Sequence, residues 1–489
     1  MNTLDILMVV SEALPYSKSG GLGDVGASLP SALARLGHRV TVAVPRYRGN
    51  PDGMDVARFP RGAWLASPEI RVIERRHDDG VRFWLVDCPQ YFDREDLYGT
   101  AAGDFADNDR RFSALCRATL EAASRSGVLP SVLHAHDWQA GLAPAYLRYR
   151  YARHPVLGGV PSVFTIHNLA FQGVFGREVL PALDLDWGCF TGDGLEYWGK
   201  VSLLKSGINF SSAVTTVSRS YAQEIQTSDQ GFGFEGVLRA RAGVLSGIRN
   251  GIDTLAWNPE SDSLLAASYS VEDLSGKTVV KQALLKRFGL TGDGGTSRPV
   301  IGMVSRMVDQ KGLDLIAAAA TELMRLDAVF VILGTGEPHH EAMWRSLAAA
   351  HPDRVAVTVG FNEELAHQIE GGADIFLMPS RFEPCGLNQM YSLRYGTVPV
   401  VRATGGLDDT VQQVDPTTGE GTGFKFGPYT PGAMLGAMRE ALTWFARPAA
   451  WRRIQMAGMR QDNSWDASAR QYVQVYEQAM AARSVGHAD

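Results

Sequence analysis

Cysteine is scarce in this chain, and the few cysteines form no motif. The 489 residues contain four of them, at Cys88, Cys116, Cys189 and Cys385. No Cys-X-X-Cys pair and no spacing typical of a zinc site occurs among them. The pattern therefore excludes a disulfide-stapled fold and predicts reduced thiols in a cytoplasmic protein.

A basic surface and an apolar leader are also missing. The first residues contain only a short apolar run, residues 6–10, which follows Asp5 and not a basic region. This pattern predicts a first core strand rather than a signal peptide or a membrane span. The formal net charge of −6 favours a neutral or small-molecule substrate. We therefore expect no nucleic acid and no membrane among the partners, and the oligomeric state stays open.

Strand-like runs alternate with helical ones along the chain, in two series. Such alternation is typical of a doubly wound, mostly parallel sheet, and 489 residues are too many for one core. The turn-rich segment 250–263 follows the first series and predicts the crossing between two α/β domains, residues 1–249 and 250–463. The predicted strands are 5–11, 39–45, 83–87, 132–136, 162–167, 213–218, 299–305, 328–333, 355–359, 374–379 and 398–402.

The first glycine cluster, GLGDVG at residues 21–26, matches the GxGxxG dinucleotide fingerprint. A loop separates it from the first strand, however, and no acidic residue follows the second strand to hold a ribose, so the context argues against nicotinamide binding. The alternative is a mobile loop in which Lys18 and the amides of Gly20 and Gly21 reach an anion across a cleft. Asp24 would then open a helix that runs to residue 36.

Polar residues follow two predicted strands of the first domain. His136 and Asp137 end one strand, and His167 ends the next, so they should gather at one rim of the sheet. His134 and His136 share a strand face and suggest a metal site, but no carboxylate cluster completes a ligand set, and no metal is expected. Histidines at strand ends are also commonly buried hydrogen-bonding groups.

The second domain places two cations after its first strand, Arg306 and Lys311. A guanidinium fork and an ammonium group suit a diphosphate, although a solvated basic turn would have the same sequence. The glycine-containing loops 334–336 and 404–407 follow two other strands and add backbone donors at the same rim. Together these loops predict a nucleotide-diphosphate site.

Glu383 lies in a turn just past the buried strand 374–379. A carboxylate at the carboxyl end of a parallel strand is placed to meet a ligand, because ligands bind in the crevice there. The predicted helix 386–395 would aim its N-terminal amides at the same crevice. The alternative is a buried turn whose glutamate caps that helix.

Long sequence blocks resemble the bacterial glycogen synthases, a family that also contains the plant starch synthases. The match runs nearly from end to end and its blocks are in the family's order, so it is highly specific. The blocks are KSGGLGD (18–24), HAHDW, TIHN, NGID, SRMVDQKGLDL, GGADIFLMPSRFEPCGL, YGTVP and TGGLDDTV.

The resemblance implies a GT-B type glycosyltransferase, with two Rossmann-like domains facing a deep cleft. It implies transfer of glucose from ADP-glucose to the non-reducing end of an α-1,4-glucan, glycogen or a malto-oligosaccharide, with retention at the anomeric carbon. No cofactor and no metal would be needed. The C-terminal stretch, residues 464–489, would return as a helix to the first domain.

The resemblance also implies roles for individual residues. Arg306 and Lys311 would neutralise the leaving diphosphate, Glu383 would hold the glucosyl hydroxyls, His167 would lie beside the sugar, and Asp137 would position donor or acceptor. The residues implied in donor binding are Lys18, Gly20, Gly21, Asn250, Gly336, Cys385, Gly386, Leu387, Thr404, Gly405 and Gly406.

Several positions depart from family patterns, and the first is Ser19, which stands where the family has Thr. Gln139 stands where many relatives have His, and Asn388 where many have Thr. Tyr391 replaces the second glutamate of the wider retaining superfamily, which matches the synthase branch and leaves adenosine recognition unassigned. The alternatives are a synthase that makes maltose 1-phosphate and a catalytically silent sensor. A sensor should have lost Lys18, Arg306, Lys311 or Glu383, and all four are present.

Overall fold

The computed structural model describes residues 3–64, 67–100, 102–291 and 297–485. The chain forms two compact units. Unit 1 comprises Met1–Gly251 together with Trp465–Asp489, and unit 2 comprises Ile252–Ser464. The boundaries predicted from the sequence are residues 250 and 464.

Unit 1 is built on a nine-stranded sheet with the order β14-β13-β9-β8-β1-β2-β5-β4-β3. The central strand β1 is parallel to both neighbours, and Ile6 pairs with Val40 on one side and with Val132 on the other. Only the β5-β4-β3 edge is antiparallel. The strands are β1 (Asp5–Val9), β2 (Arg39–Pro45), β3 (Met54–Phe59), β4 (Ile70–Arg76), β5 (Arg82–Asp87), β6 (Gly99–Thr100), β7 (Gly103–Asp104), β8 (Val132–His136), β9 (Ser162–Ile166), β10 (Val174–Gly176), β11 (Glu196–Tyr197), β12 (Lys200–Ser202), β13 (Ala213–Thr216) and β14 (Leu245–Gly247).

The helices of unit 1 include the last helix of the chain. This helix, α17, packs on α1, and its buried Tyr472 and Tyr476 join the core formed by β1, β2 and α1. The Arg35 guanidinium binds Asp466 at the edge of this contact. The helices are α1 (Gly21–Arg35), α2 (Pro89–Phe92), α3 (Asn108–Arg125), α4 (Asp137–Ala140), α5 (Leu142–Tyr149), α6 (Leu203–Phe210), α7 (Arg219–Glu224), α8 (Glu235–Ala240) and α17 (Trp465–Val485).

Unit 2 is built on a six-stranded, wholly parallel sheet with the order β17-β16-β15-β18-β19-β20. Its inner strands β15, β16 and β18 are continuous apolar runs, as expected of a sheet that helices cover on both faces. The strands are β15 (Val300–Val304), β16 (Val329–Gly334), β17 (Val355–Val359), β18 (Ile375–Met378), β19 (Val398–Arg402) and β20 (Phe424–Phe426). The helices are α9 (Ser275–Arg287), α10 (Leu313–Leu323), α11 (Pro338–Ala350), α12 (Glu363–Gly372), α13 (Asn388–Arg394), α14 (Gly405–Thr410), α15 (Pro431–Phe445) and α16 (Pro448–Met459).

The two sheets share one topological feature. In each, the first strand lies inside the sheet, and the chain winds away from it in both directions, so that a switch point lies at β1/β8 in unit 1 and at β15/β18 in unit 2. In open α/β sheets, ligands bind beyond the carboxyl ends of the strands at such points. The predicted class of two doubly wound Rossmann-like domains is confirmed.

Several predicted elements need correction. The helix predicted to open at Asp24 begins at Gly21, because the extended backbone of Gly20 (φ −156°) serves as its N-cap. The helix predicted over 386–395 covers Asn388–Arg394, because Gly386 is left-handed (φ 68°) and cannot continue a helix. In the two large sheets, β3, β4, β14 and β20 are not predicted: the first two form the antiparallel edge, and the others have three residues each, too few to show a period. The short strands β6 and β7, which form a two-stranded sheet, and β10, β12 and β11, which form a three-stranded sheet, are not predicted either.

Within the described ranges, none of the helices is both long enough and apolar enough to cross a membrane.

Candidate functional site

Polar side chains follow the strands at both switch points. In unit 1, Glu12 lies just past β1, and Asp137 lies at the end of the neighbouring strand β8. In unit 2, the Arg306–Lys311 segment follows β15, and Glu383 lies past the neighbouring strand β18. The sequence therefore places its predicted catalytic groups where the topology leaves a crevice.

Asp137 is held in a special backbone conformation. It follows β8 with φ 56°, in the left-handed region that Asp tolerates better than most residues, and it is the first residue of α4. Its Oδ1 accepts the backbone N–H of His167 at 2.7 Å. Burial raises the pKa of Asp137 to about 7, against the opposing effect of hydrogen bonds from the backbone of His167 and Asn168, while the nearby Glu12 raises it further.

His167 is half-buried, and its imidazole is neutral near pH 7. Its Nε2 lies 2.9 Å from Nδ1 of His136, and burial lowers the pKa of His167 to about 3. His134 contacts Tyr476 Oη at 2.8 Å and Thr165 Oγ1 at 2.6 Å, and burial lowers its pKa to about 3 as well. The rings of His134 and His136 pack against each other with centroids 4.0 Å apart, and burial also lowers the pKa of His136. His167 is therefore unsuited to act as an acid near neutral pH.

In the glycine loop of unit 1, protein carboxylates bind the groups that were predicted to hold an anion. Lys18 Nζ lies 2.7 Å from Asp24 Oδ1, on the first turn of α1. The buried Glu12 carboxylate accepts the Ser19 hydroxyl at 2.7 Å and the Gly20 amide at 3.3 Å. Gly21 is the first residue of α1. The predicted anion-binding groups of this loop therefore hold internal anions in this structure.

Glu12 and its partner Tyr98 are missed by the sequence reasoning. The Tyr98 hydroxyl donates to Glu12 Oε1 at 2.6 Å and lies 2.8 Å from the Ser11 hydroxyl. One signal was available for Glu12, because an acidic residue just past the first strand lies at the same rim as Asp137. Tyr98 follows no predicted strand, and only the folded chain brings it to Glu12.

An ion pair forms the centre of the unit 2 site. Lys311 Nζ lies 2.5 Å from Glu383 Oε2, and the Ser380 hydroxyl donates to the same oxygen at 3.0 Å. Lys311 reaches this position because the following Gly312 is left-handed (φ 74°) and passes so close to β18 that a Cβ would lie 2.0 Å from the Pro379 carbonyl oxygen. Lys311 and Glu383 are both largely buried.

Arg306 completes this charged group from the surface. Its side chain is exposed, and one guanidinium nitrogen lies 3.4 Å from Gln310 Oε1. The Gln310 amide in turn donates to the Phe382 carbonyl oxygen at 3.2 Å, which ties the loop after β15 to the turn after β18. The exposed guanidinium is the group of this site most open to an incoming anion.

The glycine loops of unit 2 also make internal contacts. The Gly336 amide donates to Glu341 Oε1 at 3.0 Å, and the Gly406 amide donates to the Glu383 carbonyl oxygen at 3.0 Å. A Cβ on Gly406 would lie 1.9 Å from the Cys385 carbonyl oxygen, so this glycine is required for close packing of the two turns. The other predicted donor-binding residues of unit 2, Cys385, Gly386, Leu387, Thr404 and Gly405, lie in these same two turns.

The residues that depart from the family pattern make specific contacts in the structure. Gln139 is buried in α4, and Asn388 donates from Nδ2 to the Val304 carbonyl oxygen at 2.6 Å, which ties α13 to the end of β15. Tyr391 stacks on Trp257 with ring centroids 3.8 Å apart. Asn250 is buried at the end of unit 1.

Comparisons with known proteins agree with this geometry. Residues 5–240 match the family model "Starch synthase catalytic domain", and residues 294–452 match "Glycosyl transferases group 1". The chain is 47% identical to a glycogen synthase of Koribacter versatilis over 98% of this chain and 99% of that protein. It is 48% identical to a glycogen synthase of Myxococcus xanthus over 98% of this chain and 100% of that protein.

Solved structures extend the comparison. The catalytic domain of starch synthase IV from Arabidopsis thaliana, bound to ADP and acarbose, aligns with a TM-score of 0.88 at 33% identity, over 98% of this chain and 100% of that chain. A sucrose-phosphate synthase from Thermosynechococcus elongatus aligns over the same shares with a TM-score of 0.61 at 18% identity, a likeness in fold alone.

Proposed function

Because this chain belongs to the family of glycogen and starch synthases, we propose that it transfers glucose from ADP-glucose to the non-reducing end of an α-1,4-glucan with retention of configuration. It is a glycosyltransferase of GT-B fold. The plant starch synthase was solved with ADP and acarbose, which supports a nucleotide diphosphate and a malto-oligosaccharide as ligands here.

One observation carries the proposal: Lys311 and Glu383 form an ion pair at the switch point of unit 2, and the exposed Arg306 lies on the same loop as Lys311. When the bond between the anomeric carbon and the phosphate oxygen breaks, its electron pair leaves with the diphosphate, and negative charge grows there. Cations that are already in place stabilise this charge at little reorganisation cost. Lys311 is held ready by Glu383 at 2.5 Å, and Arg306 is exposed to an incoming anion.

The carboxylates of the two sites support a mechanism without a glucosyl-enzyme. Asp137 already accepts the backbone N–H of His167, and Glu383 is paired with Lys311 and Ser380. A double displacement needs a carboxylate that is available to attack the anomeric carbon. We therefore propose that departure of the diphosphate precedes attack, through a short-lived oxocarbenium-like ion pair.

The acceptor then enters on the face that the diphosphate leaves. Its 4-hydroxyl oxygen bonds to the anomeric carbon, and the hydroxyl proton passes to a phosphate oxygen of ADP. His167, whose pKa is lowered to about 3, is neutral and does not protonate the departing phosphate; its proposed role is to stabilise the cationic sugar through its backbone carbonyl. On this account His167→Ala impairs turnover without abolishing it.

The donor and the product test this function. Purified protein is incubated with ADP-glucose or UDP-glucose, with and without glycogen, and nucleotide release and glucan growth are followed. We expect ADP release that depends on glycogen, with new α-linkages in the proton NMR spectrum. Release of maltose 1-phosphate from added glucose 1-phosphate, or binding without turnover, would contradict the proposal.

The mechanism has its own test. Donor-loaded protein is quenched without acceptor, and peptides that contain Asp137 or Glu383 are analysed by mass spectrometry. We expect no glucosyl ester on either residue. A kinetically competent ester would establish double displacement and overturn the ion-pair route.

We propose further that the transfer step needs no metal ion, because two protein cations stand where a divalent ion would otherwise neutralise the diphosphate. EDTA should leave turnover unchanged. Loss of activity in EDTA with recovery in Mg²⁺ would contradict this. The predicted cytoplasmic location rests on the reduced cysteines and stays a prediction.

A further inference from the structure

Four metal-ligating side chains converge in unit 2 beside the cation loop. Asp309, Glu337, His339 and His340, here called the His-carboxylate cluster, each offer a ligand atom, and these atoms all lie within 4.8 Å of one another. His340 Nε2 lies 2.9 Å from Asp309 Oδ1 and 3.9 Å from Glu337 Oε2, and His339 Nε2 lies 3.6 Å from Glu337 Oε2. Nothing in the proposed transfer reaction uses this cluster.

The fold brings the cluster together by joining two loops. The Met307 amide donates to the Thr335 carbonyl oxygen at 2.8 Å, and the Glu337 amide donates to the Met307 carbonyl oxygen at 2.7 Å. These bonds hold the loop after β15, which carries Asp309, against the start of α11. Glu337 and His340 are three residues apart at that start, so their side chains lie on one face of the helix.

The ligand set selects a class of metal. Two imidazole nitrogens and two carboxylate oxygens suit Zn²⁺ and similar first-row transition-metal ions, whereas Ca²⁺ and Mg²⁺ prefer oxygen ligands alone. Tetrahedral Zn²⁺ with ligand bonds of about 2.0–2.1 Å separates its ligand atoms by about 3.3 Å. Three separations, of 2.9, 3.6 and 3.9 Å, bracket that value, and every pair of ligand atoms lies within 4.8 Å.

Burial and charge also suit an ion. His340 is buried and fixed in position, while Asp309, Glu337 and His339 are accessible, so an ion can enter from solvent. The positive end of the α11 dipole opposes a cation, but the two carboxylates offset it. We propose that the His-carboxylate cluster binds one transition-metal ion of the Zn²⁺ class and thereby fastens the loop after β15 to α11.

The alternative is a simple hydrogen bond between His340 and Asp309 that binds no ion. Full-length protein is dialysed against EDTA, freed of the chelator, and titrated with Zn²⁺ in a calorimeter and with Co²⁺ in a visible spectrometer. We expect one equivalent of saturable binding and Co²⁺ ligand-field bands in the visible region.

Variants locate the site. His340→Gln and the exposed His339→Ala should each weaken Zn²⁺ binding by more than about tenfold, the usual cost of losing a group around a metal. His351→Gln, at the other end of α11, is the matched control and should bind Zn²⁺ like the parent. Circular dichroism verifies folding, and His339→Ala keeps the test valid if His340→Gln is unstable.

The proposal fails if binding is not saturable, if neither His339→Ala nor His340→Gln weakens it, or if His351→Gln weakens it equally. The readout is metal binding and not transfer of glucose. A failure here therefore leaves the proposed function untouched, and the reverse also holds.

Discussion

The two units place their candidate groups at the same topological position but surround them differently. At the switch point of unit 1, His167 and Asp137 are half-buried, and loss of hydration shifts the pKa of each toward the uncharged form, to about 3 for the imidazole and about 7 for the carboxyl. At the switch point of unit 2, charges are paired or exposed, as in Lys311 with Glu383 and in Arg306. The first environment suits neutral sugar hydroxyls, and the second suits an anionic leaving group.

The difference shows that the same sheet topology can present groups of opposite character at its switch point. A parallel sheet with its first strand inside provides the crevice, and the residues just past two strands decide its chemistry. Two results would contradict this contrast. The first is full activity without the cations of unit 2, and the second is a pH dependence that does not follow the shifted pKa values of unit 1.

The largest expected effect comes from the cations of unit 2. Arg306→Ala and Lys311→Ala should each lower turnover with ADP-glucose by about 10²–10³, the usual loss for one preorganised charge stabiliser. Steady-state kinetics measure this. Arg325→Ala removes an exposed arginine that pairs with Glu322 and should change turnover little. Parent-like rates in both test variants would place the diphosphate site elsewhere.

A somewhat smaller effect is expected from the carboxyl of unit 1. The charged form of Asp137 accepts the backbone hydrogen bond that holds His167, and its pKa is about 7. We expect kcat/KM to fall as pH decreases below 7, by about tenfold per unit once the carboxyl is mostly protonated, or about 100-fold at pH 5. Asp137→Asn should be less active and should lose this inflection. An unchanged inflection in Asp137→Asn would assign the titration to another group.

Acid should destabilise unit 1 before unit 2. The pKa values of His134 and His167 are lowered to about 3 in the native chain. Below about pH 6.5 these histidines are therefore protonated in the unfolded chain and still neutral in the native chain, which favours unfolding. At pH 5 each histidine should cost about 2 kcal/mol of stability. Asp137 acts with the opposite sign, because its raised pKa favours the native state at low pH, and stability is lost as pH rises through 7.

Hydrogen exchange followed by mass spectrometry can separate the units. Peptides that cover β8, which contains His134 and His136, should lose protection between pH 7 and pH 5 after correction for intrinsic exchange. Peptides from β16, which contains no histidine, serve as the internal control. Equal losses in both strands would mean that the buried histidines do not set acid stability.

The sequence predicts the fold well because the relevant signals are local. Apolar runs such as residues 328–333 and 355–359 define strands by themselves, and the alternation with helices follows along the chain. The strand-end rule then places Asp137, Arg306 and Glu383 at the correct edges of the correct sheets. The rule predicts where a residue lies in the sheet, but it does not predict which residue it binds.

Contacts between distant residues could not be predicted. Lys311 and Glu383 are separated by 72 positions, and Tyr98 and Glu12 by 86. The internal partners of the glycine amides could not be predicted either, because these amides were expected to be open to a ligand. In the structure, Gly20 binds Glu12 and Gly336 binds Glu341, since a carboxylate elsewhere in the same unit satisfies each amide.

The smallest expected effect comes from Glu12 and Glu341, the carboxylates that accept the Gly20 and Gly336 amides. If the Gly20 and Gly336 amides bind the phosphates of ADP-glucose, then Glu12 and Glu341 compete with the donor for them. A neutral glutamine competes less, because hydrogen bonds to charged acceptors are stronger than neutral ones by about 1 kcal/mol, or about fivefold in affinity. Glu12→Gln and Glu341→Gln should therefore each lower KM for ADP-glucose by up to about fivefold.

The two variants should differ in stability. Glu12 is buried and also accepts the Tyr98 hydroxyl, so Glu12→Gln should lower the melting temperature. Glu341, in the first turn of α11, is more accessible, so Glu341→Gln should change the melting temperature little. Glu322→Gln, on an exposed face of unit 2, is the control for removal of a charge. A KM that stays at the parent value in both test variants would mean that these amides remain on their internal partners during turnover. The donor would then be held by the side-chain cations alone.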